Sequence, residues 1–243
     1  MNKLSVIVPM LNEERDIART LEAIAAAASG AEAIVEVIVV DGGSSDRSCD
    51  EARPRCALLL VAPRGLARQM NAGAAAAKGD ALVFVHADTI VPRSFVDDIA
   101  AALADRGVVG GRFDVRLDDG TPLLRLIGWL ISARSRLSRT GTGDQAIFVR
   151  REVFERLGGY RDIELFEDLD LARRLKRIGR VACLRSRVTT SARRWRERGV
   201  LATTVRMWFI RIAFLLGVPP ARLAHLYNRG GPVENESQRS VRG

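Results

Sequence analysis

Continuous apolar runs in the first part of the chain predict buried β-strands. The runs are rich in Val, Ile and Leu and lack the polar alternation of a half-exposed strand, so both faces are expected to be covered. The strand candidates are LSVIVPM (4–10), VEVIVVDGG (35–43), CALLLVA (56–62) and ALVFVHAD (81–88).

The segments between these runs have helical periodicity. In NEERDIARTLEAIAAAA, Ile17, Leu21 and Ile24 form one apolar stripe, and Asn12 is expected to cap the helix. Residues 66–78 and 92–106 are interpreted as two further helices. Strands that alternate with helices indicate an α/β fold, in which a mixed, mostly parallel sheet is flanked by helices.

Polar residues follow three of the predicted strands, at positions 9–13, 41–46 and 86–88. Because ligands of open α/β sheets bind beyond the carboxyl ends of the strands, these three ends are expected to meet at one crevice. Asp88 could there hold a divalent cation that also contacts a diphosphate. Alternatively, Asp88 merely begins the turn before Pro92. This motif alone leaves both interpretations open.

The composition fits one ordinary α/β core. A chain of 243 residues that is 47% hydrophobic can bury one such core, or at most two small ones. Three cysteines and two histidines provide neither a disulfide framework nor a zinc site. No signal peptide is visible at the N-terminus, and a reducing cytoplasm is the expected compartment.

Positive charge is concentrated in the second part of the chain. Residues 1–100 carry 10 basic and 14 acidic side chains, whereas residues 101–243 carry 28 and 15. This bias suits a nucleic acid, an anionic membrane surface or a phosphorylated ligand, or it is simply a solvated arginine-rich surface. Aromatic residues make up only 5% of the chain and offer few stacking platforms, which disfavours nucleic acid.

An apolar segment near the C-terminus, residues 200–220, is interrupted by Arg206 and Arg211. Central arginines are costly in a bilayer, so a spanning helix is not expected. The segment is predicted to be an amphipathic helix that lies on a membrane, or one that packs on the sheet or on a second subunit. The predicted organisation is an α/β domain (1–198), an amphipathic helical extension (199–227) and a disordered tail (228–243).

Four motifs occur in the order and spacing of family 2 glycosyltransferases: VIVPMLNEE, VIVVDGGSSD, MNAGAAAAKGDALVFVHADT and FEDLDLARRLKRIG. The chain resembles that family from residue 4 to about 198. Within it, the chain is most similar to the small bacterial enzymes related to dolichyl-phosphate-sugar synthases and carotenoid-acid glycosyltransferases. The resemblance implies a GT-A (Rossmann-like) fold and a nucleotide-diphosphate-sugar donor, with a uridine-diphosphate sugar preferred. It also implies an inverting transfer that depends on Mg²⁺ or Mn²⁺.

The resemblance assigns a set of residues to the donor. These residues are Pro9, Leu11, Glu13, Asp41, Arg68, Asn71, Ala87 and Arg194. The chain departs from the family pattern twice: Gly42 replaces a second acid, and His86 replaces the first acid of the DxD motif. Asp88, the last acid of that motif, is the expected metal ligand. His86 is either a second ligand, which would suit Mn²⁺, or a packed strand-end histidine.

The resemblance also assigns the catalytic base. Asp168 matches the family's ED base, which takes the proton of the attacking acceptor, and Glu167 would orient or bind the acceptor. The residues alone allow another account, in which Glu167, Asp168 and Asp170 stabilise the start of a helix. The remaining acceptor contacts are Asp144, Gln145 and Trp195. Ser191 replaces the glutamine of the QxxRW motif of processive members, which favours transfer of a single sugar.

The expected partners are a nucleotide-sugar donor and a small-molecule or lipid acceptor with a hydroxyl or carboxylate. An anionic membrane surface is a further candidate, with the protein peripheral on the inner face of the cell membrane. The oligomeric state stays open. Two rival functions share the fold: a catalytically silent, membrane-associated scaffold, and a sugar-nucleotide pyrophosphorylase. The second lacks support, since no GxGTR loop follows the first strand.

Overall fold

The structure is a computed structural model that describes residues 1–228, without the side chains of residues 194, 198, 201, 215 and 225–228. The strands in chain order are β1 (Lys3–Met10), β2 (Ile34–Asp41), β3 (Leu58–Val61), β4 (Ala81–Phe84), β5 (Thr89–Ile90), β6 (Val108–Leu117), β7 (Ile147–Arg150) and β8 (Arg180–Thr190). The first seven helices are α1 (Ile17–Ala28), α2 (Ser48–Ala52), α3 (Leu66–Ala76), α4 (Phe95–Ala104), α5 (Pro122–Ser138), α6 (Arg151–Arg156) and α7 (Glu167–Ile178). Three more follow: α8 (Arg193–Arg198), α9 (Val200–Leu215) and α10 (Pro220–Asn228).

One mixed sheet contains the strands of the described residues, in the order β3-β2-β1-β4-β7-β6-β8-β5. Neighbours among β3, β2, β1 and β4 are parallel, as are β6 and β8. Strand β7 is antiparallel to both β4 and β6, and the short β5 is antiparallel to β8. The predicted α/β class with a mostly parallel sheet is confirmed.

The strand pairings bring several loops to one edge of the sheet. Met10 at the end of β1 pairs with Asp41 at the end of β2, and Phe84 at the end of β4 pairs with Ile147 at the start of the antiparallel β7. The loops after β1, β2 and β4 and the loop before β7 therefore leave the sheet on the same side. This edge carries the candidate site.

Helices cover both faces of the sheet. Because successive side chains of a strand point to opposite faces, β1 contributes to two apolar clusters. Val8 belongs to the cluster that includes Ile17 of α1 and Phe95 of α4. Ile7 belongs to the cluster that includes Met70 of α3 and Leu171 of α7. The continuous apolar strands of the sequence correspond to this double coverage.

The predicted cap of the first helix is wrong. Helix α1 begins at Ile17, and Asn12 lies four residues before its N-cap residue, Asp16, in a left-handed conformation with φ 54°. The Asn12 side chain instead accepts a hydrogen bond from the backbone N–H of Ser45 at 2.8 Å. Asparagine tolerates this backbone conformation, so the residue joins two loops instead of capping a helix.

The chain divides into two compact units. The first contains residues 1–162 and 166–192, and the second contains residues 163–165 and the chain from Arg193 onward. In the second unit, α9 covers most of the apolar segment predicted to be helical, and it presents exposed Trp208 and Phe209. Of the helices in residues 1–228, none is sufficiently long and apolar to cross a membrane. The predicted tail lies almost wholly outside the described residues.

Candidate functional site

The loops that follow β1 and β2 are hydrogen-bonded to each other. The backbone N–H of Asn12 donates to the Ser44 hydroxyl at 2.9 Å, and that of Glu13 donates to the Ser48 hydroxyl at 2.7 Å. With the contact between Asn12 and Ser45, these bonds make one unit of residues 11–14 and 42–48. Pro9 is buried in β1, whereas Leu11 and Glu13 are partly exposed on this unit.

Asp41 shapes the turn after β2. Its buried carboxylate accepts hydrogen bonds from the backbone N–H groups of Gly43 and Ser44, both at 3.0 Å, and from the Ser44 hydroxyl at 2.5 Å. Burial, and after it the charge and hydrogen bond of this carboxylate, raise the pKa of the Cys49 thiol that lies against it. A carboxylate has about four lone-pair positions, so most of the capacity of Asp41 is used within the protein. Its predicted donor contact stays a prediction.

Gln69 is a residue at this edge that the sequence analysis missed. Its buried side-chain N–H₂ donates to the carbonyl oxygens of Met10 and Val40, each at 2.9 Å, and so joins the ends of β1 and β2. A Cβ at Gly42 would lie 3.0 Å from the Gln69 carboxamide. The glycine that replaces the family's second acid thus makes room for Gln69. The sequence offers no signal that pairs these two positions.

Two predicted donor residues on α3 contact the segment before α7. Asn71 donates to the carbonyl oxygen of Tyr160 at 2.8 Å and accepts from its backbone N–H at 2.9 Å. Arg68 pairs with Asp162 at 2.9 Å, and both side chains are largely exposed. In the structure, Asn71 holds the Tyr160 segment in place. The donor contacts of Arg68 and Asn71 stay predictions.

The turn after β4 contains the predicted metal ligands. The carbonyl oxygen of His86 accepts from the Thr89 N–H at 3.1 Å, and the Ala87 carbonyl oxygen accepts from the Thr20 hydroxyl of α1 at 2.8 Å. Asp88 is partly exposed inside this turn. Its carboxylate accepts a long hydrogen bond from the Thr89 hydroxyl at 3.4 Å. The turn interpretation and the ligand interpretation of Asp88 are therefore compatible.

The His86 ring packs against the loop before β7. A Cβ at Gly143 would lie 2.5 Å from Nε2 of His86, so only a glycine permits this approach. Gly143 in turn donates its backbone N–H to Oδ2 of Asp168 at 2.6 Å. His86 and Asp168 are thus placed on two sides of one glycine. The two motifs are 82 positions apart in the chain, and the structure brings them together.

Asp168 lies in the first turn of α7. Besides the contact with Gly143, its Oδ1 accepts from the backbone N–H of Leu169 at 2.6 Å. Burial, the largest effect, and the nearby Asp144 raise the pKa of Asp168, whereas the two backbone N–H groups and His86 lower it. The net direction is upward, which makes this carboxylate a stronger base than a solvated one.

Glu167 is buried beside Asp168. Burial, followed by the charge of Asp168, raises the pKa of Glu167 to about 8. The residue before it, Phe166, adopts a left-handed conformation with φ 68°. Such a conformation is uncommon for a bulky residue, and it places the pair of acids at the very start of α7. Both acids lie in the first turn of α7, where an acid can stabilise a helix, and Glu167 is buried there while Asp168 is partly buried.

We expect Glu167→Gln to flatten the dependence of stability on pH. Between about pH 4.5 and pH 8 the folded protein holds a proton on Glu167 that the unfolded chain releases. The free energy of unfolding of the wild type therefore falls as pH rises through this window, by up to about 1.4 kcal/mol per pH unit. Urea denaturation at several pH values should give a shallower slope for the variant. Equal slopes would contradict the prediction.

The two predicted acceptor residues of the loop before β7 have different environments. Gln145 is fully buried; its amide donates to the Phe113 carbonyl oxygen at 3.1 Å, and its Oε1 accepts from the Thr142 N–H at 3.3 Å. Asp144 is partly exposed, but its Oδ1 is buried and has no hydrogen-bond partner in the described part of the chain. Gln145 holds the loop together, whereas Asp144 keeps an unused acceptor atom.

The predicted donor contact Arg194 and the predicted acceptor contact Trp195 lie on α8, in the second compact unit. Trp195 is buried, and its indole N–H has no partner within the described residues. The side chain of Arg194 lies outside the described residues. The roles of both residues stay predictions.

The chain matches one protein family over most of its length. The model of glycosyl transferase family 2 matches residues 5–158. The probable glycosyltransferase YdaM of Bacillus subtilis (strain 168) is 29% identical over 199 residues, which cover 73% of this chain and 47% of that protein. The uncharacterized glycosyltransferase alr2836 of Nostoc sp. (strain PCC 7120 / SAG 25.82 / UTEX 2576) is 28% identical over 125 residues, 49% of this chain and 38% of that one. The chain spans at most about half the length of these curated relatives.

Solved structures share the fold. The mannosyltransferase PcManGT from Pyrobaculum calidifontis, in complex with GDP-Man and Mn²⁺, superposes with a TM-score of 0.65 at 24% identity, covering 92% of this chain and 68% of that one. Glucosyl-3-phosphoglycerate synthase from Mycobacterium tuberculosis, in complex with Mn²⁺, uridine diphosphate and glucosyl-3-phosphoglycerate, has a TM-score of 0.59 at 24% identity, with 76% and 70% covered. At this level of identity the likeness concerns the fold, and it confirms the predicted GT-A architecture.

Proposed function

We propose, since the chain belongs to glycosyltransferase family 2, that it transfers a single sugar from a uridine-diphosphate donor to an acceptor, with inversion at the anomeric carbon. The observation that carries this proposal is the placement of Asp168. Its carboxylate is held by the N–H of Gly143, which also touches His86 in the turn after β4. A basic group thus stands beside the strand ends where ligands of α/β sheets bind.

The donor half of the proposed site is the unit formed by the loops after β1 and β2. Its hydrogen bonds are internal, through Asn12, Asp41 and Gln69, so its shape is set before a donor arrives. A preformed site loses less conformational entropy on binding. The nucleoside would lie on this unit and the diphosphate toward Asp88. The nucleotide diphosphates in the neighbouring structures, UDP and GDP-Man, support this class of donor.

A divalent cation fits this edge as an ion shared with the donor. Among residues 1–228, no group of three or more His, Cys, Asp or Glu side chains could hold a metal by itself. Asp88 offers a partly exposed carboxylate with one long hydrogen bond, and hard cations accept such oxygens together with diphosphate and water. Asp88 would therefore hold Mg²⁺ or Mn²⁺. When bound, the ion would stabilise the negative charge of the departing diphosphate.

Asp168 would act as the general base. The acceptor oxygen attacks the anomeric carbon from the side opposite the diphosphate, and Asp168 takes its proton as the bond to the diphosphate breaks. The raised pKa of Asp168, caused mainly by burial, favours this proton transfer. The N–H of Gly143 and that of Leu169 fix the orientation of the carboxylate. Glu167, whose raised pKa keeps it protonated near neutral pH, could donate a hydrogen bond to the acceptor.

Binding of nucleotide sugars with and without Mn²⁺ tests the proposal. A ligand that binds only the folded state raises the melting temperature, and we expect a uridine-diphosphate sugar with Mn²⁺ to raise it more than guanosine or thymidine donors do. Mn²⁺ without nucleotide should give little shift, because Asp88 alone holds the ion weakly. If none of these donors shifts the melting temperature at millimolar concentration, the proposal fails.

A further inference from the structure

Two arginines near Asp168 have buried donor groups without partners. Arg112 of β6 is 1% exposed, and its Nε and Nη2 find no hydrogen-bond partner among residues 1–228. Arg134 of α5 is in the same situation, with Nε and Nη2 both buried and unpaired within the described chain. A buried charged donor without a partner is costly to the fold. Two such groups whose charges act on each other therefore point to a ligand.

The two arginines and the base belong to one cluster. The side chain of Arg112 packs on Gly141, in the loop that carries Gly143, at 3.2 Å from the position of a Cβ there. Arg134 is close enough to Arg112 for the two charges to repel each other, and close enough to Asp168 to be attracted. The pKa of Arg134 is lowered, mainly by burial, while Asp144 and Asp168 oppose that decrease.

The protein's own carboxylates do not satisfy these donors. Asp114 is the nearest paired acid: its Oδ1 accepts from Nη1 of Arg112 at 2.6 Å, and its other oxygen pairs with Arg136. The backbone carbonyl of Phe113 also accepts from Nη1 of Arg112, at 3.2 Å. Arg134 has no carboxylate within 4.0 Å in the described part of the chain. The unpaired edges of both guanidinium groups are therefore available to another oxyanion.

We infer that Arg112 and Arg134 bind a phosphate group of the acceptor and so place its nucleophilic oxygen at Asp168. This inference rests on the proposed function. Guanidinium groups match the geometry of such oxyanions and form strong, charge-assisted hydrogen bonds with them. The buried, unpaired Oδ1 of Asp144 would accept a hydrogen bond from a hydroxyl of the same molecule.

The position of the two arginines favours the acceptor over the donor. The donor unit follows β1 and β2, whereas Arg112 lies on β6, which is separated from β1 by β4 and β7 in the sheet. The loop that carries Gly143, with Asp168 bonded to it, leads into β7 between these two regions. An anion held by the arginines would therefore approach Asp168 from the side opposite the nucleoside.

Arg134→Gln tests the inference, with Arg125→Gln as the matched control. Arg125 lies on the same helix with its side chain exposed, so the control makes the same change of charge away from the cluster. The probes are glycerol 3-phosphate, for a soluble phosphate, and dodecyl phosphate in neutral detergent micelles, for a lipid phosphate. We expect Arg134→Gln to weaken binding of at least one probe by about tenfold or more, and Arg125→Gln to leave it unchanged.

Two further measurements separate this inference from its premise. The affinity of Arg134→Gln for uridine diphosphate with Mn²⁺ should equal that of the wild type, and its melting temperature without ligand should be equal or higher, since a buried unpaired charge is removed. If the wild type binds uridine diphosphate but neither phosphate probe, or if both arginine variants bind the probes alike, the inference is wrong. If uridine diphosphate does not bind at all, the proposed function fails instead.

Discussion

Asp168→Asn should reduce sugar transfer by a factor of about 10² to 10⁴, the usual contribution of a positioned general base. Asparagine keeps the size of the side chain, and its carbonyl oxygen can accept one of the two backbone hydrogen bonds, from Gly143 or from Leu169, while the other is lost. It cannot accept the acceptor's proton at neutral pH. The loss should appear in kcat with little change in the affinity for the nucleotide sugar, since Asp168 does not belong to the donor unit.

The alternative role of Asp168, stabilisation of the start of α7, predicts a different result. Asp97 provides the comparison, because it lies in the first turn of α4 as Asp168 lies in that of α7, but its side chain is exposed. An acid that only interacts with a helix dipole contributes about 0.3–1 kcal/mol of stability. In that case Asp168→Asn and Asp97→Asn would both lower stability slightly and leave the transfer rate unchanged. We expect Asp97→Asn to behave so, whereas Asp168→Asn should lose far more activity than the small loss of stability from one backbone hydrogen bond can explain.

The sheet edge that carries the site could be predicted from the first hundred residues. Apolar runs ending in Asp41 and in the His86–Asp88 turn indicate parallel strands whose carboxyl ends meet, and the structure places both ends at that edge. The strands of the second half of the chain were harder to predict from the sequence. In β6, Gly110 and Gly111 interrupt the apolar pattern, because the strand passes so close to β7 that a Cβ at either position would collide with Phe148. A pattern governed by such contacts is not visible in the sequence.

Site residues could be predicted from the sequence only where they belong to a recognisable motif. Asp168 was predicted from its match to a family motif. Its proximity to His86 depends on Gly143, which contacts both residues, and no local sequence pattern connects Gly143 to Asp168 or to His86. The two arginines were hidden for a related reason: an arginine in a basic region is usually solvated, and only the structure shows that Arg112 is buried and that Nε and Nη2 of the partly exposed Arg134 are buried too. Gln69 likewise acts through a contact with Gly42 made across two loops.

Asp88→Asn should abolish the contribution of Mn²⁺ to nucleotide binding and reduce transfer by about a thousandfold, because a bound metal ion supplies several kcal/mol of charge stabilisation. Asparagine preserves the shape of the turn, and the Thr89 hydroxyl, at 3.4 Å, donates too weakly for the fold to depend on it. The charge of the side chain is what changes. We expect the melting temperature without ligands to stay within the range of the Asp97→Asn control.

The decisive measurement is the affinity for uridine diphosphate with and without Mn²⁺, in wild type, Asp88→Asn and His86→Asn. If Asp88 is the residue that binds the metal, the wild type binds uridine diphosphate more tightly with Mn²⁺ than without it. Asp88→Asn then binds uridine diphosphate equally in both conditions. His86→Asn should keep the effect of Mn²⁺, since the His86 ring packs against Gly143. An Asp88→Asn protein that retains the full effect of Mn²⁺ would place the metal elsewhere and remove the reason for an acid at the end of β4.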